Sequence, residues 1–326
     1  MIGFDEALAL IVAAAKPLGT EIVQLGEAKG RVLAKPVTAL VDSPPWDVSA
    51  MDGYAVRDAD LPGRLTLAGE SRPGPAGPPT LGAGQCVRIF TGAPIPAGAD
   101  RVVMQEDVRR DGDAAIFGAP GDAHHVRRLG SDFRRQDRLL EPGRLVDARA
   151  LVAIAAADRE IVDVYRRPKL ALFATGDELV EPGMAMEPGA IPDSASVGVM
   201  ALGEDWGAAC IGRWRLRDEL PMPQFAVAAT QEADLIVVTG GASVGERDFA
   251  KAMFEDHGLE LIFSTVAIKP GKPAWFGRAA GRLVLGLPGN PTSAMVTARL
   301  FLAALLAGMS GRDPAAAGAW FEGPLA

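Results

Sequence analysis

From residue 168 onward the chain alternates apolar, strand-like runs with helix-like stretches, an order that leaves few architectures open. Strands are expected at 169–173, 208–214, 235–239 and 260–266, with helices at 194–206, 218–233 and 247–257. A hairpin-like pair at 274–277 and 282–285 follows, then a last helix starting at 292. Strands alternating with helices form right-handed crossovers on a mostly parallel sheet, here the centre of a three-layer α/β domain. Such sheets bind ligands at the loops that leave the C-terminal ends of their strands.

Three of those loops are marked by Gly and Pro: Thr239-Gly-Gly-Ala-Ser-Val-Gly-Glu-Arg-Asp248, Ile268-Lys-Pro-Gly-Lys-Pro273 and Leu287-Pro-Gly-Asn-Pro-Thr-Ser293. The first offers backbone N–H groups and an acid pair, the second two ammonium groups, and the third an Asn and a Ser at a helix start. Together they point to a pocket for an anionic, phosphate-bearing molecule. Prolines stiffen the run that carries Lys269 and Lys272, so two point charges can face an anion at little ordering cost. The strand at 170–174 runs into Thr175-Gly-Asp-Glu178, which sets two carboxylates at a strand's C-terminal end. Asp193, Asp218 and Asp248 fall at comparable loop-to-helix junctions, where acids are often only caps or dipole partners. So many carboxylates around a phosphate pocket would repel the ligand without a divalent cation between them, and Mg²⁺ is the economical choice.

Upstream, residues 4–16 have the composition of a helix with an acidic first turn and a terminal Lys, and Gly19 stops it. Strand-like runs at 21–25 and 32–41 end at the Pro44-Pro45 pair. The pattern then becomes short β runs (64–68, 85–90, 101–105 and 114–117) separated by clusters such as Arg72-Pro-Gly-Pro-Ala-Gly-Pro-Pro79. A helix at 147–159 and a strand at 161–165 resume the interrupted first part. The expected organisation is a first domain split between 1–45 and 133–167, an inserted β-rich domain at 46–132, an α/β domain at 168–310 and a tail at 311–326. A length of 326 residues, about twice the usual ~150 of one domain, agrees with several domains.

A formal net charge of −8 argues against nonspecific nucleic-acid binding, which depends on neutralising phosphates. No stretch reaches the ~20 uninterrupted apolar residues that span a bilayer. Asp5 and Glu6 precede the apolar run at 7–15, where a signal peptide carries positive charge. A cytoplasmic location without membrane association is therefore expected. Cys86 and Cys210 lie far apart without metal-ligand spacing and read as ordinary reduced thiols. His124, His125 and His257 have no matching third ligand or nucleophile, and neither a Walker motif, a dinucleotide fingerprint nor a repeat is present.

In the β-rich insert, Asp47 and Asp52 sit in Pro45-Trp-Asp-Val-Ser-Ala-Met-Asp-Gly-Tyr-Ala-Val56, where Asp-Gly on its own ordinarily marks a turn. Thr91-Gly-Ala-Pro94 on its own is a proline-stiffened loop. Taken with Ala174-Thr-Gly-Asp-Glu-Leu179 and the three loops above, however, these segments make six motifs in order. They resemble the molybdopterin molybdenumtransferase family, MoeA and the gephyrin E domain, over residues 1 to 308.

The resemblance implies an elongated homodimer whose third domain binds molybdopterin. It also implies a reaction: adenylylated molybdopterin is hydrolysed at its phosphoanhydride in a molybdate- and Mg²⁺- or Zn²⁺-dependent step, giving molybdenum cofactor and AMP. Asp52, Asp132, Glu178, Asp218 and Asp248 are implied to serve metal binding and placement of the attacking oxygen, with Asp52, Glu178 and Asp248 as metal ligands. Lys269 and Lys272 would hold molybdate or the pterin phosphate. Thr91, Thr175, Asp193, Ser194, Gly240, Gly241, Ser243, Gly245, Pro288, Asn290, Pro291 and Ser293 would contact pterin and phosphate. Because the family's site lies between protomers, Asp52, Thr91 and Asp132 are expected to act in trans. A molybdopterin adenylyltransferase and molybdoenzymes are the implied partners.

Four departures from the family pattern stand out. Val48 replaces a usual Asn, Ser131 stands where an acid is common, and Ala195 replaces the Asn of Asp-Ser/Thr-Asn. With only residues 311–326 after the last domain, the family's small C-terminal β domain is not expected. These departures motivate the alternative of a non-catalytic cofactor-binding paralogue. A nucleotide hydrolase sharing only the sheet domain is a third reading, disfavoured by the Ser-Ala-Met-Asp segment and its β-rich insert.

Overall fold

A computed structural model describes residues 1–74, 77–241 and 249–318. The chain divides into two compact units, one comprising 1–35, 141–151 and 161–326 and the other 36–140 and 152–160.

The first unit is built on a six-stranded sheet in the order Ala209–Leu216, Lys169–Thr175, Leu235–Thr239, Arg282–Leu287, Trp275–Ala279, Glu260–Phe263. The first four strands are mutually parallel, and the last two join antiparallel at one edge. Side chains alternate between two cores, as the two-residue period of a strand requires. Leu170, Leu172, Leu235, Val237, Leu283 and Leu285 enter one core, while Ala171, Phe173, Ile236, Val238 and Val284 enter the other. Burial on both faces explains why these strands read as continuous apolar runs rather than as alternating patterns.

Helices cover both faces. The first core receives Phe4–Ala14, Ser194–Asp205 and the 19-residue helix Pro291–Met309, which contains a π turn at Ala298–Leu302. That helix is apolar enough to cross a bilayer by length and composition, but 67% of its most apolar stretch is buried inside the protein. The second core receives Gln224–Glu232 and Phe249–Glu255. The helix expected at 218–233 starts six residues late because Pro221 and Pro223 restrict the backbone before it.

The N-terminal helix buries Ala7 and Ile11 in the α/β core, and Ile2 bridges in parallel to Val266. The antiparallel ribbon of Thr20–Gln24 with Ile161–Tyr165 also belongs to the first unit, whereas that of Val37–Thr38 with Arg138–Leu140 belongs to the second.

The second unit holds a mixed six-stranded sheet in the order Arg101–Met104, Gly53–Val56, Gln85–Ile89, Gly63–Ser71, Ala114–Phe117, Val108–Asp111. Its two faces carry small cores around Tyr54, Val56 and Phe117 and around Ala55, Val87 and Ile89. Gly53 is not a turn residue here: it opens a central strand, where a Cβ would lie 2.0 Å from the Val103 carbonyl oxygen.

Candidate functional site

In the first unit a cavity of about 600 Å³ lies at the C-terminal ends of the parallel strands that end at Thr175, Thr239 and Leu287. Loops leaving neighbouring parallel strands diverge there and leave a crevice. Two of the loops approach closely because both carry Gly: a Cβ at Gly289 would lie 3.2 Å from the Gly240 Cα. Gly240 has φ +90° and a virtual Cβ 2.4 Å from the Thr175 carbonyl oxygen, so no other residue fits.

The cavity wall brings together nine of the expected residues: Thr175, Glu178, Asp193, Ser194, Asp218, Gly240, Gly241, Asn290 and Pro291. Ile191, Ala195 and Phe249 join them without having been singled out as ligand contacts, since apolar lining carries no motif. Pro288, Ser293, Lys269 and Lys272 do not line it. Both lysines are exposed. Their loop is nevertheless pressed against the first turns of the last helix at Gly271 (φ +117°), where a Cβ would lie 2.4 Å from Thr297 Cγ2. Ser243, Gly245 and Asp248 lie outside the described residues.

Asp218 is the electrostatic focus of the wall. One of its carboxylate oxygens is buried without a hydrogen-bond partner, and its backbone N–H donates to Asp177 Oδ1 at 3.2 Å. Burial, reinforced by the charges of Asp177 and Glu178, raises its pKa above the ordinary carboxylate value. Asp177 of the Thr175-Gly-Asp-Glu178 motif is thus part of the acid cluster. Among the described residues no three His, Cys, Asp or Glu groups converge as a complete metal cage. The donor set still suits Mg²⁺, which is held by one or two carboxylates together with substrate phosphates.

Asp193 also has a structural task. Its carboxylate caps the Ser194–Asp205 helix by accepting the Ser196 N–H at 3.2 Å, and it pairs with Arg213 at 2.9 Å. Arg213 also donates to Ser196 Oγ and pairs with Glu181, tying the 178–193 segment to the sheet. Asn290 caps the last helix by accepting the Ser293 N–H at 3.1 Å. Two helix N-termini therefore line the cavity through Ser194 and Pro291, an arrangement that favours an anion.

In the second unit the strands Gly53–Val56 and Gln85–Ile89 run antiparallel with Gly53 opposite Ile89. This register places Asp52, just before one strand, beside Thr91, just after the other. Asp52 Oδ1 accepts the Thr91 backbone N–H at 2.7 Å and its hydroxyl at 2.8 Å. The Thr91 N–H is the main cause of a lowered Asp52 pKa, with the hydroxyl next and the Arg88 charge adding. Asp132 is also held ionised, chiefly by Arg127, whose Nη2 donates to both its oxygens at 2.7 Å. Ser43 donates to it at 3.2 Å. Burial pushes the Cys86 and Cys210 thiols up to about 11, so both are unreactive at neutral pH.

Residues 2–157 match a family model described as the MoeA N-terminal region (domains I and II), and residues 171–308 match a probable molybdopterin binding domain. The molybdopterin molybdenumtransferase of Haemophilus influenzae is 39% identical over 301 residues, covering 91% of this chain and 74% of that protein. The protein of the same name from Nostoc is 38% identical, covering 85% of this chain and 66% of its own. The crystal structure of the molybdopterin biosynthesis MoeA protein from Pyrococcus horikosii superposes with a TM-score of 0.79 at 31% identity, over 96% of this chain and 81% of that one.

Proposed function

The chain belongs to the molybdopterin molybdenumtransferase family, and from that premise we propose that it inserts molybdenum from molybdate into adenylylated molybdopterin, releasing AMP. The observation that carries this reading is the cavity itself: two helix N-termini and a glycine-lined floor suited to phosphate, beside an acid cluster with an unpartnered Asp218 oxygen.

Each wall component has a distinct task. The backbone at Gly240, Gly241 and Gly289 lets a phosphate approach without a Cβ in the way. The helix N-termini at Ser194 and Pro291 stabilise its negative charge. Glu178 and Asp218 would hold a divalent cation, Mg²⁺ or Zn²⁺, which when bound would neutralise charge on the phosphoanhydride. Water attacks the pterin-side phosphorus, the bridging P–O bond breaks, AMP leaves with the electron pair of that bond, and the attacking water gives up its protons to solvent. Lys269 and Lys272, exposed and outside the cavity wall, would offer point charges to molybdate. Ala195 leaves that part of the wall without an amide, so recognition there rests on the backbone and on Ser194.

The reading includes a homodimer in which Asp52, Thr91 and Asp132 of one protomer serve the cavity of the other, in the cytoplasm. A molybdopterin adenylyltransferase supplies the substrate and molybdoenzymes take the product. The test is single-turnover AMP release with and without molybdate. Mixing Asp52→Ala with Asp218→Asn protomers should recover part of the activity, since one site of each mixed dimer is intact. Activity in a strictly monomeric protein contradicts the shared site.

A further inference from the structure

We propose that Arg88 is a positioning residue for Asp52, an inference that rests on the catalytic role given to Asp52 above. Arg88 lies directly opposite Tyr54 in the antiparallel pair. Its guanidinium carbon sits 5.2 Å from the Tyr54 ring centroid and 4.7 Å from that of Phe90, so the fork rests against two aromatic rings. From there Nη1 donates to the Gly53 carbonyl at 2.6 Å and Nη2 donates to Gln105 Oε1 at 2.6 Å.

Both contacts act on the backbone that carries Asp52. Gly53 is its immediate successor, and the Gln105 backbone N–H donates to the Asp52 carbonyl at 3.1 Å. The carboxylate meanwhile is gripped by Thr91, three residues after Arg88 on the same chain segment. Asp52 is thus fixed at three points: its carboxylate by Thr91, its own carbonyl by Gln105, and the next carbonyl by Arg88. Among the described residues, Arg88 is the side chain that joins Gly53, Gln105 and the strand leading to Thr91. The Arg fork can engage both acceptors at once, whereas a Lys ammonium is a single point charge on a flexible stem. Displacing a reacting group by about 1 Å costs on the order of 100-fold in rate.

The experiment compares wild type, Arg88→Met, Arg88→Lys, Gln105→Leu, Asp52→Ala and the Arg88→Met/Asp52→Ala double variant in single-turnover AMP release, below the Tm of every variant. Arg88→Met should lose about 10- to 100-fold in kcat with KM changed far less. Gln105→Leu should lose a smaller factor in the same parameter, and it keeps the test alive if Arg88→Met folds poorly. Arg88→Lys should recover little, and the double variant should be no slower than Asp52→Ala alone, because a residue acting through another adds nothing once that one is gone. A full rate in Arg88→Met, full rescue by Lys, or multiplicative losses in the double variant would overturn the inference. Full activity in Asp52→Ala would instead overturn the reading beneath it.

Discussion

A single oxygen of Asp52 accepts both the backbone N–H and the hydroxyl of Thr91, at 2.7 and 2.8 Å. Two loops 39 residues apart are thereby closed into one unit. Thr91 holds the Asp52 carboxylate in a fixed orientation, which gives it a supporting task beside the ligand contact implied by the motif.

Removing the hydroxyl alone, as in Thr91→Val, leaves the backbone N–H, the larger cause of the lowered pKa. The Asp52 pKa should therefore rise but stay below the ordinary carboxylate value, as read by carboxyl NMR titration. The sign is that of a depressed acid: the bond's contribution to stability is present above the unfolded pKa and fades as pH falls through the folded one. A Thr91→Val protein with an unchanged Asp52 titration would refute the clamp.

Asp218 carries the opposite sign. Its raised pKa means that the folded state disfavours the charged form, so its effect is a loss of stability as pH climbs above the unfolded carboxylate pKa. Asp218→Asn should have a higher Tm than wild type at pH 7, and the difference should vanish in acid. Added Mg²⁺ should raise the Tm of wild type but not of the variant. Equal Mg²⁺ shifts in both proteins would remove Asp218 from the cation site.

Arg213 is the counter-charge of a nearly fully buried Asp193, whose side chain is 2% exposed. Arg213→Met should destabilise the protein by about 2–4 kcal/mol in urea unfolding, less than an entirely orphaned charge because Ser196 still bonds the carboxylate. Adding Asp193→Asn should return part of that loss. Strict additivity of the two substitutions would show that they do not interact.

Gly240→Ala should cost about 2 kcal/mol or more, because φ +90° and the 2.4 Å approach to the Thr175 carbonyl act together. Gly183→Ala, with φ +93° but open space around it, should cost only the backbone strain, about 1 kcal/mol. Equal costs in chemical denaturation would mean that the loop relaxes freely.

Much of this arrangement can be read from the chain, for identifiable reasons. The strands Ala114–Phe117, Ile161–Tyr165 and Leu235–Thr239 fall where their apolar runs begin and end, because Gly, Pro or charge bounds each one. The cavity's loops were recognisable because Gly at a close approach and Asn at a helix start leave marks in composition. The partnership of Asp52 with Thr91 and Arg88 was not, since it depends on an antiparallel register that no local pattern encodes. The attachment of the first helix to the α/β core was hidden likewise: an apolar helix face says that something covers it, not what. Asp193 lines the cavity and also caps a helix and pairs with Arg213, tasks that its position at a loop-to-helix junction does not separate in the sequence.

The most direct test of molybdenum insertion is the stoichiometry of a single turnover: enzyme in excess over adenylylated molybdopterin, with AMP and pterin-bound molybdenum quantified together over time. Insertion predicts that one AMP and one molybdenum appear at the same rate, and only when molybdate is present. AMP released at an equal rate without molybdate, or released with no molybdenum in the pterin, would contradict it.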